Sequence, residues 1–195
     1  MAHTKSYHKH VRFVLMRIVI ATPLYPPEIA GPAPYIKELA RRLSKDTEVT
    51  IVAYARLPEQ VPGVHIIAVD KRRPLPLRLF AYLRALARAA RDADAIYAIN
   101  GASVELPVLI VSFFSRTPLF FGIGDRVAHE RAKKRLLFLF LERIAFARSR
   151  GMISKFPWPR PEILPLEPWP LEAETLYEES WRTHLVALRD IFHHA

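Results

Sequence analysis

The sequence has no cysteine, which excludes disulfides and thiolate metal sites and fits a reducing compartment. It also lacks an uninterrupted apolar run near the roughly 20 residues that a spanning helix needs. The longest such stretch, Leu106 to Phe114, is broken by Pro107 and Ser112. A GxGxxG dinucleotide fingerprint, a Walker P-loop, a GxSxG elbow and a metal-like histidine spacing are all missing. Dehydrogenase, kinase and hydrolase readings therefore have little to stand on. Zinc-finger spacing, an RNP-like aromatic motif and a helix-turn-helix are absent too, so nucleic acid is not an expected partner. No metal and no resident cofactor are expected.

Acidic residues are in short supply. Against 29 Lys and Arg stand 19 Asp and Glu, a formal charge of +10. That surplus suits an anionic partner, either anionic lipid or a phosphorylated sugar, or else a solvated basic surface. Residues 1–15 are basic and His-rich but lack the apolar core and small-residue cleavage site of a secretory signal. They read as a disordered leader, with Met16 an alternative start and His3, His8 and His10 open to adventitious metal. The cytoplasm is the expected compartment.

With 195 residues, 51% of them hydrophobic, the chain can bury one good core. Arg17 to Thr22 is a short β-branched run, after which Ile36, Leu39, Ala40 and Leu43 recur at helical spacing. Between them, Gly31 removes a side chain where backbone would approach a ligand, and Pro32 and Pro34 suit a first helical turn. Such a helix start attracts phosphate. Further apolar runs at Val49–Tyr54, His65–Val69, Ala95–Ile99, Leu119–Gly122 and Gly151–Ser154 alternate with helical patterns. The fold class that follows is α/β: one Rossmann-like, doubly wound parallel sheet spanning 16–154, with ligands beyond the strands' carboxyl ends.

Pro76 opens a second helix with Leu79, Leu83, Leu86 and Ala90 on one face and Arg84, Arg88 and Arg91 on the other. That basic face either meets an anionic membrane surface or is simply solvated. The stretch 130–148 reads as a helix whose Leu136 to Leu141 are apolar almost all round. Either a neighbouring element covers its second face, or that face meets a membrane or another protein. Residues 155–171 are proline-dense and read as a linker. In 172–195, Tyr177, Trp181, Leu185, Leu188 and Phe192 form one stripe of a docking helix that packs back on the sheet.

In order, these segments resemble the N-terminal half of family 4 retaining glycosyltransferases of the GT-B type. The likeness is carried by the Pro26-Pro27-Glu28 segment, by Ala30-Gly31 in place of that family's Gly-Gly pair, and by the strands at Glu48–Val52, Gly63–Ile67 and Ala93–Gly101. Ser180 to Phe192 resembles the family's last helix, which returns from a second domain to pack on the first. The resemblance implies that this chain joins the first domain to the returning helix, with the second domain absent. In the family that second domain grips the nucleotide-sugar donor through two glutamates eight positions apart. No glutamate pair here has that separation; Glu167 and Glu174 stand seven apart.

Aligning Thr117 to Asp125 on the family's fifth strand puts Gly124 where a histidine is usual, retains Asp125 after it and makes Glu130 a counterpart of a following glutamate. By resemblance Asp125 is the candidate catalytic residue, orienting an acceptor hydroxyl or acting as a base; N-capping the next helix is its other reading. Ala30, Gly31, Asn100, Gly101, Gly124 and Glu130 are the candidate substrate-binding residues, with Asn100 and Gly101 also readable as turn and cap. Two functions follow. One is an acceptor-side domain using a nucleotide sugar with a separately encoded donor-binding partner, or as a homo-oligomer, at the cytoplasmic membrane face. The other is a non-catalytic binding or membrane-associated module derived from a transferase.

Overall fold

Six apolar runs pair in parallel: the four inner ones are buried on both faces, which leaves their amides to pair with neighbouring strands, whereas the outer run Val64–Val69 is partly exposed. The computed structural model describes residues 16–28, 32–123, 130, 134–154 and 174–194. In chain order the elements are β1 (Arg17–Thr22), α1 (Ala33–Leu43), β2 (Glu48–Tyr54), β3 (Val64–Val69), α2 (Leu75–Ala89), β4 (Ala95–Ile99), α3 (Ala102–Phe114), β5 (Leu119–Ile123), α4 (Leu136–Arg148), β6 (Gly151–Ser154) and α5 (Glu174–His193). The strands order as β3-β2-β1-β4-β5-β6, every pair parallel. This is the doubly wound sheet expected, with its topological switch between β1 and β4. The leader 1–15 and the proline-dense 155–171 lie outside the described residues.

Strand side chains alternate between two helical layers. Ile18, Ile20 and Phe120 face α1 and α5, whose Ile36, Leu39, Leu43, Trp181, Leu188 and Phe192 complete one core. Val19, Ala21 and Phe121 face α2, α3 and α4, with Tyr82, Leu86, Val104, Val108 and Ala145 in the other. Helix α5 is thus an integral wall. Trp181 stacks on Tyr35 at 5.9 Å, the Arg42 guanidinium lies 4.8 Å over the Trp181 ring, and Arg42 also grips Glu178 with two hydrogen bonds of 2.8 and 2.5 Å.

Two sequence expectations need correction. The helix read over 130–148 begins at Leu136: Lys134 is in a turn and Arg135 is extended, so the helical Glu130 belongs to a different segment. Arg135 is the extended N-cap residue of α4, and the wholly apolar run takes over directly after it. On α2 the fully buried residues are Tyr82, Ala85 and Leu86, whereas Leu79 and Leu83 are half-buried. The stripe therefore centres on Tyr82. Arg84, Arg88 and Arg91 are exposed as expected.

Candidate functional site

At the switch point, β1 hands over to α1 on one face of the sheet and β4 to α3 on the other, and it is where two such connections part that open α/β sheets place a ligand crevice beyond the strand ends. On the β1 side, Thr22 closes the strand with a local turn: its hydroxyl donates to the Leu24 carbonyl at 2.8 Å and accepts the Leu24 N–H at 3.4 Å. The following segment is tied to its surroundings by a Lys71–Glu28 ion pair and by the Glu59 N–H donating to the Pro26 carbonyl at 3.1 Å. Tyr25 is fully buried there with its hydroxyl unpartnered among the described residues, and burial, with Glu59 nearby, pushes its pKa up to about 12. Helix α1 then begins at Pro32 and Ala33 with no side-chain cap and no acidic residue in its first turn. An uncapped, acid-free helix start retains the partial positive charge that favours phosphate.

On the β4 side, the Asn100 N–H donates to the Gly122 carbonyl at 2.9 Å and so prolongs the strand pairing by one residue. Gly101 follows with φ 150°, in a region that side chains avoid, and a β-carbon there would lie 3.3 Å from Pro23 Cγ. The two connections thus meet at the crevice floor. The Gly101 N–H donates to the Glu105 Oε1 at 3.0 Å, one turn into α3. Glu105 is 2% exposed and its other oxygen, Oε2, has no partner among the described residues. Burial raises its pKa to about 7, the Gly101 N–H opposes that rise, and the Glu142 carboxylate adds to it. A carboxyl poised near neutrality can hold a proton or release it without leaving its place beneath the turn.

Aromatic side chains brace the same floor. The buried Tyr82 hydroxyl donates to the Val52 carbonyl at 2.9 Å, with the Thr22 carbonyl at 3.3 Å, bridging the last turns of β1 and β2. Tyr54 stacks on Tyr82 at 4.4 Å, and Arg78 lies 5.5 Å over the Tyr54 ring. The Tyr54 hydroxyl donates to the Ser103 carbonyl at 3.0 Å. That carbonyl needs a donor because Pro107, four residues on and inside α3, has no N–H to offer it.

Of the residues expected at the site, Asn100 and Gly101 stand at the crevice and are buried. Glu130 is exposed, whereas Ala30, Gly31, Gly124 and Asp125 lie outside the described residues. Glu105, Tyr54, Tyr82 and Arg78 escaped the sequence reading. Glu105 had a usable signal: it is the single charge in the apolar segment Ala102–Phe114. The tyrosines had none, since their partners are backbone carbonyls.

Among the described residues no group of His, Asp and Glu has metal-holding geometry, and no helix is long and apolar enough to cross a membrane. In comparison with known proteins, a family described as a glycosyl transferase 4-like domain matches residues 30–162. No curated protein matches the chain.

Proposed function

The chain belongs to the glycosyl transferase 4-like domain family, and from that premise we propose that it is the acceptor-side domain of a sugar-transfer system using a nucleotide-sugar donor. The observation that carries this reading is the span of the match. Residues 30–162 contain α1, the β4–α3 turn and the end of β5, the three segments that border the crevice at the switch point. In the proposed transfer the acceptor oxygen bonds to the sugar's anomeric carbon, the nucleotide phosphate leaves with the bonding electrons, and the acceptor proton passes to a base. Ala30, Gly31 and the uncapped start of α1 meet the donor phosphate. Asp125 orients the acceptor hydroxyl or takes its proton, with Gly124 and Glu130 beside it, while Asn100 and Gly101 shape the floor and Glu105 positions their turn. The donor's nucleotide is gripped by a second, GT-B type domain of a partner or by a second copy of the chain.

A second reading has its own support. Leu136, Leu137 and Phe140 are exposed on α4, and Arg84, Arg88 and Arg91 are exposed on and just after α2, which suits a module lying peripherally on an anionic membrane face. A transfer assay separates the two. Radiolabelled nucleotide sugars are offered with a lipid extract to the chain alone and to the chain isolated with its native partners. Transfer is expected only from the partnered sample. Turnover by the chain alone would remove the need for a donor-binding partner, and a partnered sample that binds vesicles but transfers nothing leaves the membrane module.

A further inference from the structure

At the end of the sheet opposite the crevice, α2 and α3 leave between their last turns a cavity of about 750 Å³. Its helical walls are apolar, Leu83 and Ala87 coming from α2 and Ile110 and Phe114 from α3, while one edge is polar, with Ser115 and Thr117 in it. Phe114 is 90% exposed, a whole aromatic ring in water at the mouth. Arg91 and Arg116 line the same cavity, and neither guanidinium has an ion-pair or hydrogen-bond partner among the described residues. The nearby hydroxyls, in contrast, are engaged. Ser115 donates to Thr117 at 2.6 Å and Thr117 to the Ala90 carbonyl at 3.0 Å, fixing the turn before β5 to the end of α2. The walls are therefore held in place without a ligand.

We propose that this cavity binds one anionic amphiphile, with an alkyl or acyl chain lying between the two helices and a phosphate head held by Arg91 and Arg116. The volume falls in the range of small-molecule sites. A sugar or nucleotide would find polar partners only along the Arg91 and Arg116 edge, and its hydroxyls lying between the helices would go uncompensated. A wholly apolar ligand would leave two cations beside low-dielectric material without a counter-charge, and free phosphate would leave Phe114 and the helix walls wet. Only a ligand with both parts answers both halves of the lining. Unengaged guanidinium forks are also the donors best shaped for phosphate oxygens. The site makes no use of the crevice, so it stands or falls independently of sugar transfer.

The test titrates the full chain with monomeric dodecyl phosphate by calorimetry, with dodecanol and inorganic phosphate run in parallel. One molecule is expected to bind per chain, at least about tenfold more tightly than either half-ligand. The Arg91→Glu/Arg116→Glu variant is expected to lose that advantage while binding dodecanol as before. Ala87→Trp, which fills the cavity from an exposed helix position, is expected to abolish binding of both. Circular dichroism of each variant establishes that the fold is kept. Equal affinity for dodecanol and dodecyl phosphate, more than one site per chain, or unchanged binding by Ala87→Trp would overturn the proposal. So would vesicle binding that Ala87→Trp abolishes when monomeric dodecyl phosphate does not bind, since that assigns the face to a bilayer.

Discussion

Glu105 and His184 sit on opposite sides of the sheet and carry pKa shifts of opposite consequence. Burial lifts Glu105 from 4.5 to about 7, so the folded protein holds a proton there that the unfolded chain has already released. Its contribution is complete below pH 4.5 and is lost as pH rises through 7, a loss of about 3 kcal/mol. Glu105→Gln keeps an oxygen for the Gly101 N–H and cannot ionise. Urea denaturation should find the variant more stable than the parent at pH 8 and that advantage gone by pH 4.5. His184 is the mirror case: packed against Trp181 and accepting or donating at 2.7 Å to the Tyr35 hydroxyl, it is held by burial down to about 4. The unfolded chain binds its proton first, so stability falls as pH drops from 6.5 through 4. His184→Gln should therefore gain on the parent over that interval, in the same denaturation series. Between pH 4.5 and 6.5 the two slopes oppose each other, and the parent's own pH profile conceals both. Little of this was readable in the sequence, because a group's burial depends on which helix covers it. Glu105 was marked only by standing alone in an apolar run, and His184 looked like any surface residue of an amphipathic helix.

Elements were far more legible, because periodicity records burial over many residues at once. The strand runs agree with the observed strands to within one residue, and the stripe from Tyr177 to Phe192 places Trp181, Leu188 and Phe192 in the core. The start of α4 was not legible, since a segment apolar all round has no phase by which to tell where one helix stops and another starts. Its orientation was hidden for the same reason: Glu142 is buried while Leu136 is 87% exposed. Helix α3 was also unclear, as its internal proline argues against a helix unless the freed carbonyl finds another donor. Tyr54 is that donor. Tyr54→Phe should cost about 1 kcal/mol in the parent, the value of a buried hydrogen bond left half-made. In a Pro107→Ala background residue 107 regains its N–H and can serve the Ser103 carbonyl itself, so the same substitution should cost close to nothing. A double-mutant cycle by chemical denaturation measures the difference. Equal costs in both backgrounds would mean that the hydroxyl's contribution does not run through the Ser103 carbonyl.

For the whole molecule, the sequence yielded the class of fold, but strand order needs long-range pairing that no local pattern encodes. The order found puts α2, α3 and α4 in one layer, with α3 between the others. The basic face of α2 and the exposed apolar face of α4 are therefore about two interhelical spacings apart, roughly 16–20 Å, on the same side of the sheet. A flat anionic surface meeting that layer would engage charge through one helix and apolar area through the other. These two contributions respond differently to salt. Raising ionic strength from about 0.05 M to about 0.5 M shortens the screening length severalfold and weakens the first while leaving the second. On sedimentation with phosphatidylserine-rich vesicles, the parent should lose part of its binding over that range and keep a remainder. Arg84→Glu/Arg88→Glu should remove the salt-sensitive part, and Leu136→Glu/Phe140→Glu the salt-resistant part, with the two effects additive in free energy because α3 separates the two helices. If neutral vesicles bind as well as anionic ones and the α4 variant behaves like the parent, neither face meets lipid, and the net charge of +10 is a property of the solvated surface.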